Sequence, residues 1–361
     1  MWPERCAHQD PVLRECVVDF PVPASLQFPP PYQSQCLSAT HSTLSTRTKF
    51  SVCHSDIHQV RGEWNNSSWP MCPGHEINGV VEKAGSSVTR FAVGDRAAVG
   101  CMVNSCGSCT QCAVHKSEQY CKDGAIWTYN SKDVDGTMTM GGYSSHIVVD
   151  EKFALKFPEN LPMDAGAPLL CAGITTYSPM RFYGLDKPGM KLGVVGLGGL
   201  GHMAVKFGKA FGMHVTVISR GESKKTDALE HLGADAYLVS SDAEQMAAAA
   251  KTLDGIVDTV AMDHDFDTYV NLLDTNGKYV VVGLQPEPIK LGAFSLIGKR
   301  ISFGGSLIGG IQETQEMLDF CGANNIVSDI EKVPMSYANE AFERMIKGDV
   351  KYRFVLDVAE M

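Results

Sequence analysis

The run Gly196-Leu197-Gly198-Gly199-Leu200-Gly201 constrains the fold most. It matches G-x-G-x-x-G, follows the apolar stretch Lys191–Val195 and opens a helix-like segment from His202 to Phe211. That context turns a weak motif into a dinucleotide-binding signature. Gly196 permits the tight turn, Gly198 lets the backbone approach a pyrophosphate, and Gly201 allows close helix–strand packing. Leu197, Gly199 and Leu200 complete the loop. The helix N-terminus then offers unpaired N–H groups and a favourable dipole to the anion. Around this turn, apolar stretches at 192–195, 215–218, 236–239, 255–259, 279–282 and 300–303 alternate with helical segments. Such alternation predicts an α/β fold with a parallel, doubly wound sheet over residues 168–305.

The stretch after the next strand sets the cofactor. An NAD-selective site places Asp or Glu about 20 residues beyond the glycines, on the ribose hydroxyls. Here the segment reads Ser219-Arg220-Gly221-Glu222-Ser223-Lys224-Lys225. A hydroxyl and cations suit a 2′-phosphate that a carboxylate would repel, so Ser219, Arg220 and Lys224 favour NADP(H). The alternative is that the two lysines only solvate the start of a helix.

Twelve cysteines are present, and their clustering decides their use. Cys106-x2-Cys109-x2-Cys112, with Cys121 nearby, has the spacing of a closed, tetrahedral structural zinc site. Disulfides are the rival account; the first thirty residues lack a secretory signal, which points to a reducing, cytoplasmic setting. Cys101 reads as buried and inert. A second set is scattered: Cys53, His75 and Cys171 together make a Cys/His/Cys arrangement with an open fourth position, as in catalytic zinc sites. Glu76 adjoins it, either as a transient ligand or as a surface carboxylate. Asp56 is placed to orient the His75 ring. Ser55 and His58 are three apart and share a helical face. They serve either as a proton relay or, for Ser55, as a helix cap.

Other classes are excluded by balance. With 31 Lys+Arg against 41 Asp+Glu, the formal charge is −10, against a nucleic-acid binder. No apolar run reaches the length of a membrane span. Residues 50–167 and 306–361 read as a mostly β lobe with a mixed tail. Residues 1–49, rich in Pro, Ser and Thr, read as an irregular segment holding Cys6, Cys16 and Cys36.

Cys53-His54-Ser55-Asp56-Ile57-His58, Pro73-Gly74-His75-Glu76, the cysteine cluster, Ala167-Pro168-Leu169-Leu170-Cys171-Ala172-Gly173 and the glycine loop with His202 together resemble the zinc-dependent medium-chain dehydrogenases. The cinnamyl alcohol dehydrogenase branch is the nearest likeness, from about Val52 to Asp357. It includes Glu118-Gln119-Tyr120-Cys121, Ile126-Trp127-Thr128-Tyr129-Asn130 and Tyr352-Arg353-Phe354-Val355. The resemblance implies a GroES-like catalytic domain beside a Rossmann domain, and reduction of aldehydes to primary alcohols with NADPH in a cytosolic homodimer. It implies a catalytic zinc on Cys53, His75 and Cys171 with Glu76 as alternate ligand, and a structural zinc on Cys106, Cys109, Cys112 and Cys121. It assigns the relay to Ser55 and His58, the substrate pocket to Trp64, Trp127 and Leu307, and the nicotinamide surroundings to the segment containing Ser306 and Ile308. Two departures stand out. Cys112 and Cys121 are separated by eight residues where the family has seven, and residues 1–49 lack the family's opening strands.

Two rival functions remain. One is an NADPH-dependent reductase of iminium or activated double bonds, which the joint presence of Cys53, His75, Cys171, Ser55 and His58 disfavours. The other is a non-catalytic NADPH-binding protein.

Overall fold

The computed structural model describes residues 43–357. Its first seven strands are β1 (Thr43–Ser51), β2 (Ile77–Ala84), β3 (Arg96–Val99), β4 (Met102–Asn104), β5 (Ile126–Trp127), β6 (His146–Asp150) and β7 (Ala154–Lys156). Strand β1 pairs antiparallel with β2 along most of its length, and on its other side with β6 from Thr43 to Arg47. The sheet continues from β2 to β3 and β7, while β4 and β5 form a separate ribbon. Gly100 and Cys101 lie between β3 and β4.

Residues 43–49 depart from the expected irregular segment, because they belong to β1. Pairing on both sides overrides their weak Ser/Thr pattern, since a strand is decided more by its neighbours than by propensity. The rest of the 1–49 segment, with Cys6, Cys16 and Cys36, lies outside the described residues.

The glycine turn belongs to a second sheet built from β8 (Lys191–Val195), β9 (His214–Ser219), β10 (Ala236–Val239), β11 (Leu253–Asp258), β12 (Leu273–Val281) and β13 (Ser302–Gly305). All its pairings are parallel, in the order β10-β9-β8-β11-β12-β13. That is the doubly wound order, with its switch point between β8 and β11, where ligands settle at the carboxyl ends of the strands. The central strands carry near-continuous apolar runs because helices cover both faces. Val194, Val215, Val217, Ile218, Ile256, Val257 and Val280 are all fully buried.

Two more strands return to the first sheet: β14 (Ile330–Pro334) and β15 (Arg353–Asp357). They run parallel to each other, and β15 pairs antiparallel with β1 at Phe50 and Ser51. The Ala172–Phe182 helix joins the two sheets. Residues 172–180 are buried on every face, and the helix packs against both the Gly201–Ala210 and Ile311–Asn324 helices. Its buried polar residues are small hydroxyl side chains, and Thr176 Oγ1 satisfies itself by donating back to the Ala172 carbonyl at 2.9 Å.

Candidate active site and metal centres

Three separate elements deliver the scattered donors. Cys53 follows β1 as the N-cap residue of the His54–Val60 helix. His75 and Glu76 immediately precede β2, and Cys171 is the N-cap residue of the Ala172–Phe182 helix. One potential ligand atom from each of Cys53, His75, Glu76 and Cys171 lies within 4.8 Å of the others, and all four residues are buried. The Cys53 and Cys171 sulfurs are 3.9 Å apart. In a tetrahedral site with Zn–S near 2.3 Å, ligand sulfurs are expected ~3.8 Å apart, so the separation fits a shared ion. A disulfide would need ~2.05 Å.

Asp56 organises this cluster from complete burial. One carboxylate oxygen accepts from the Cys53 backbone N–H at 3.0 Å. The other accepts from Gly74 N–H at 3.1 Å and pairs with His75 Nδ1 at 3.0 Å. His75 Nε2 is thereby left for a metal, in the usual carboxylate–histidine support. Burial lowers the basicity of His75, but the Asp56 charge outweighs it and raises the ring well above its ordinary value.

Glu76 is fully buried, which rules out the surface-carboxylate alternative. Among the described residues neither of its oxygens has a hydrogen-bond partner, although Arg353 Nη2 pairs with Oε1 at 3.3 Å. Burial lifts the carboxyl to about 7 against the pull of Arg353. An orphaned buried carboxylate beside two thiols and an imidazole is the donor set a divalent cation would complete. Arg353 is itself buried, donates to the Val52 carbonyl at 3.0 Å and packs beneath the glycine loop, where a Cβ on Gly199 would lie 2.5 Å from Nε. It joins the metal cluster to the dinucleotide turn. Cys101 is half-buried, not fully buried, and adjoins the site: its thiol points at the Leu170 carbonyl at 3.7 Å and contributes to the raised pKa of Cys171.

Ser55 Oγ is 3.7 Å from Cys53 Sγ. The N-cap position belongs to Cys53, so Ser55 lies inside the helix and the capping alternative falls away. His58, one turn on, pairs through Nδ1 with Glu63, and the Trp64 ring stacks on it at 5.2 Å. Trp64 is half-buried, whereas Trp127 on β5 and Leu307 are exposed.

The four clustered cysteines also converge, with one sulfur each from Cys106, Cys109, Cys112 and Cys121 within 4.8 Å of the rest. The Cys106–Cys112 and Cys109–Cys112 sulfurs are 4.0 and 3.5 Å apart, against the disulfide account. Backbone N–H groups of Cys106, Cys109 and Lys122 point at the sulfurs of Cys121, Cys106 and Cys109. The Lys122 N–H contributes most to lowering Cys109 to about 6. Between Cys112 and Cys121, Lys116 takes φ +53 and the Val114 and His115 N–H groups share the Thr110 carbonyl.

At the cofactor turn Gly196 has φ +86, and a Cβ on Gly201 would lie 2.1 Å from the Gly196 carbonyl oxygen. Open space faces Gly198, where a pyrophosphate would approach. Lys224 Nζ donates to the Leu197 carbonyl at 2.6 Å, and burial, then the Arg220 charge, depresses its pKa. Ser219 ends β9 and Arg220 is exposed beside it. Beyond β13, Ser306 N–H bonds the Val281 carbonyl at 3.2 Å and Ile308 is buried with φ +37.

Three supporting residues have no role in the sequence reading: Glu63, and Arg353 and His202, which it names only within the stretches that carry the resemblance. His202 stacks on Tyr352 at 4.7 Å and bonds the Gly198 carbonyl through Nδ1 at 3.1 Å. Burial pushes it down to about 3, so it is neutral. Its place right after the glycine motif was the available signal; for Arg353 and Glu63 none lay in spacing.

A doubly wound cofactor lobe, a mainly antiparallel lobe and a buried Cys/His/Cys cluster at their junction define a zinc-type dehydrogenase. Comparison gives the family. Residues 45–159 match the alcohol dehydrogenase GroES-like domain, and residues 199–323 match the zinc-binding dehydrogenase domain. Vomilenine reductase and cinnamyl alcohol dehydrogenase 2, both of Rauvolfia serpentina, are each 57% identical over 307 residues, 85% of either chain. A mannitol dehydrogenase of Petroselinum crispum is 56% identical over 85% of this chain and 91% of its own. Among solved structures, a Sorghum bicolor cinnamyl alcohol dehydrogenase superposes with TM-score 0.88 at 48% identity, covering 91% of this chain and 94% of that one. The chain belongs to the zinc-dependent medium-chain dehydrogenases/reductases, in the cinnamyl-alcohol-dehydrogenase-like family. It is an NADP(H)-dependent zinc alcohol dehydrogenase acting on aldehydes and alcohols. Among the described residues no helix is long and apolar enough to cross a membrane.

Proposed function

We propose that this enzyme reduces aromatic or hydroxycinnamyl-type aldehydes to primary alcohols with NADPH, reversibly, as a two-zinc cytosolic homodimer. The observation that carries the reading is the convergence of Cys53, His75, Glu76 and Cys171, with Ser55 beside Cys53. When bound, the metal supplies a Lewis acid that polarises a carbonyl, and the reduced nicotinamide supplies a hydride.

The chain's own residues do the rest. Asp56 fixes the His75 ring. Ser55 Oγ gives its proton to the nascent alcohol oxygen and is reprotonated from His58, which Glu63 holds and Trp64 covers. Net, one aldehyde, one NADPH and one proton become one alcohol and one NADP⁺. Lys224 and Arg220, whose charges already oppose each other, gain a common counter-ion in a 2′-phosphate. Trp64, Trp127 and Leu307 offer apolar and aromatic surface for a ring-bearing aldehyde, and two relatives carry cinnamyl alcohol in their names where another carries mannitol. Six thiols in two metal sites suit a reducing compartment.

The test is metal analysis of purified protein alongside NADPH oxidation with cinnamaldehyde. About two zincs per chain with turnover is the expected result. Ser55→Ala should cut kcat by roughly a hundredfold or more while NADPH affinity holds. Full zinc and tight NADPH binding without turnover on a broad aldehyde panel would instead establish the non-catalytic binder.

A further inference from the structure

The four-cysteine loop grips a segment outside itself. Its last turn, Glu118–Tyr120, ends at Cys121. Glu118 Oε2 accepts from the Ile311 N–H at 3.0 Å, at the first residue of the Ile311–Asn324 helix. Tyr120 Oη accepts from the Leu307 N–H at 2.9 Å. Between these anchors the backbone is forced: Ile308 sits at φ +37, a left-handed value that a β-branched residue rarely adopts. The loop also lies directly against Gly310, where a Cβ would be 1.8 Å from the Lys116 carbonyl oxygen. Lys116 itself takes φ +53 and lies between Cys112 and Cys121.

The gripped segment is not remote from chemistry. It leaves the carboxyl end of β13, the side of a doubly wound sheet on which ligands bind. Tyr120 and Leu307 are 45% and 47% exposed, so their hydrogen bond competes with water and persists only while the loop holds both partners in register. A loop of this length with little apolar core would take its rigidity from the four thiolates and the metal they are placed to hold.

We propose that Glu118 and Tyr120 are positioning residues that transmit the geometry of the four-cysteine centre to Leu307–Ile311, so that metal loading of that centre shapes the wall of the substrate cleft. The helix N-terminus gains a carboxylate on an otherwise unpaired N–H, and the segment gains a second tether one turn earlier. Strain at Ile308 is maintained between the two.

Hydrogen exchange read by mass spectrometry on the full zinc-loaded chain tests this without reference to turnover. Tyr120→Phe and Glu118→Ala should each speed exchange over residues 306–311 by about tenfold, leaving residues 191–219 unchanged and zinc content intact. Glu118→Gln, whose amide oxygen still accepts, should restore wild-type protection. Cys109→Ser, which opens the centre without touching the scattered donors, should give the same local acceleration. The kinetic arm rests on the aldehyde-reductase reading: Tyr120→Phe should raise KM for cinnamaldehyde roughly threefold to tenfold while kcat changes less than about twofold. Unaltered exchange over 306–311 in all these variants overturns the proposal, as does acceleration spread equally through 191–219. An unchanged KM with cinnamaldehyde turned over overturns the link to the substrate cleft, whereas no turnover by the wild type, with the exchange result as expected, speaks against the substrate and leaves the mechanical coupling standing.

Discussion

Asp56 shows how much one side chain can organise. Its two oxygens tie together the Cys53 and Gly74 backbone and the His75 ring, fixing two of the scattered donors relative to each other. Its place within Cys53-x2-Asp56 makes that role legible from spacing. Arg353 has no such signature: it reaches Glu76 and Val52 across about three hundred residues, a closeness created only by β15 folding back onto β1. Cofactor choice belongs to this scale as well. A carboxylate at position 219 would face the 2′-phosphate, and like charges in contact cost several kcal/mol. Ser219→Asp is therefore expected to lower kcat/KM for NADPH by about a hundredfold and to raise that for NADH, measured with one aldehyde at saturating concentration. An unchanged ratio would remove Ser219 from the phosphate site.

At the level of elements, legibility follows burial. The central strands of the parallel sheet are covered on both faces, so their continuous apolar runs mark them in the sequence. Strand β14 is only partly buried along its length and β7 has three residues, so neither carries a readable period. Strand β1 is hidden for another reason, since Ser and Thr fill it and its pairing partners are distant in sequence. The turn after β11 carries a pH-dependent tether. Asp258, fully buried at the end of β11, accepts from Tyr279 Oη and pairs with His264 Nε2, both at 2.8 Å. Asp263 adds negative charge, and Phe266 and Tyr269 pack on the ring. Burial lowers the imidazole pKa, but the hydrogen bond and charge of Asp258 exceed that and leave it raised. A raised folded-state pKa contributes stability that is complete below the unfolded value, near 6.5, and is lost as pH rises through the folded value. Wild type should thus exceed His264→Gln in Tm by roughly 2–4 °C near pH 5.5, with the gap closing in alkaline buffer. A gap that widens with pH would contradict the tether.

Taken whole, the described residues leave the β13 edge of the parallel sheet without a pairing strand. Strand β13 is terminal in the strand order, and Leu284, Ile289, Phe294 and Ile297 lie exposed in the chain just before it. An uncovered edge beside an apolar patch invites a partner, which supports the homodimer as the proposed state. Phe294→Asp with Ile297→Asp should convert the protein to a monomer in sedimentation equilibrium, with secondary structure retained by circular dichroism. A wild-type chain that sediments as a monomer at micromolar concentration would rule that assembly out. The resemblance carried the homodimer; the open edge itself was not legible, because strand order is a property of the sheet and not of any one stretch.

The pairing of β15 with β1 has a temporal consequence. During synthesis, β8 to β13 leave the ribosome as one uninterrupted block and have all their sheet partners at hand. The earlier lobe has to wait, since Phe50 and Ser51 at the end of its first described strand lack their β15 partners until residues 353–357 emerge. Domains that fold as units do so in the order in which they become complete. The nucleotide lobe therefore has its sheet partners available first, and the metal-binding lobe gains its last pairing only with residues 353–357.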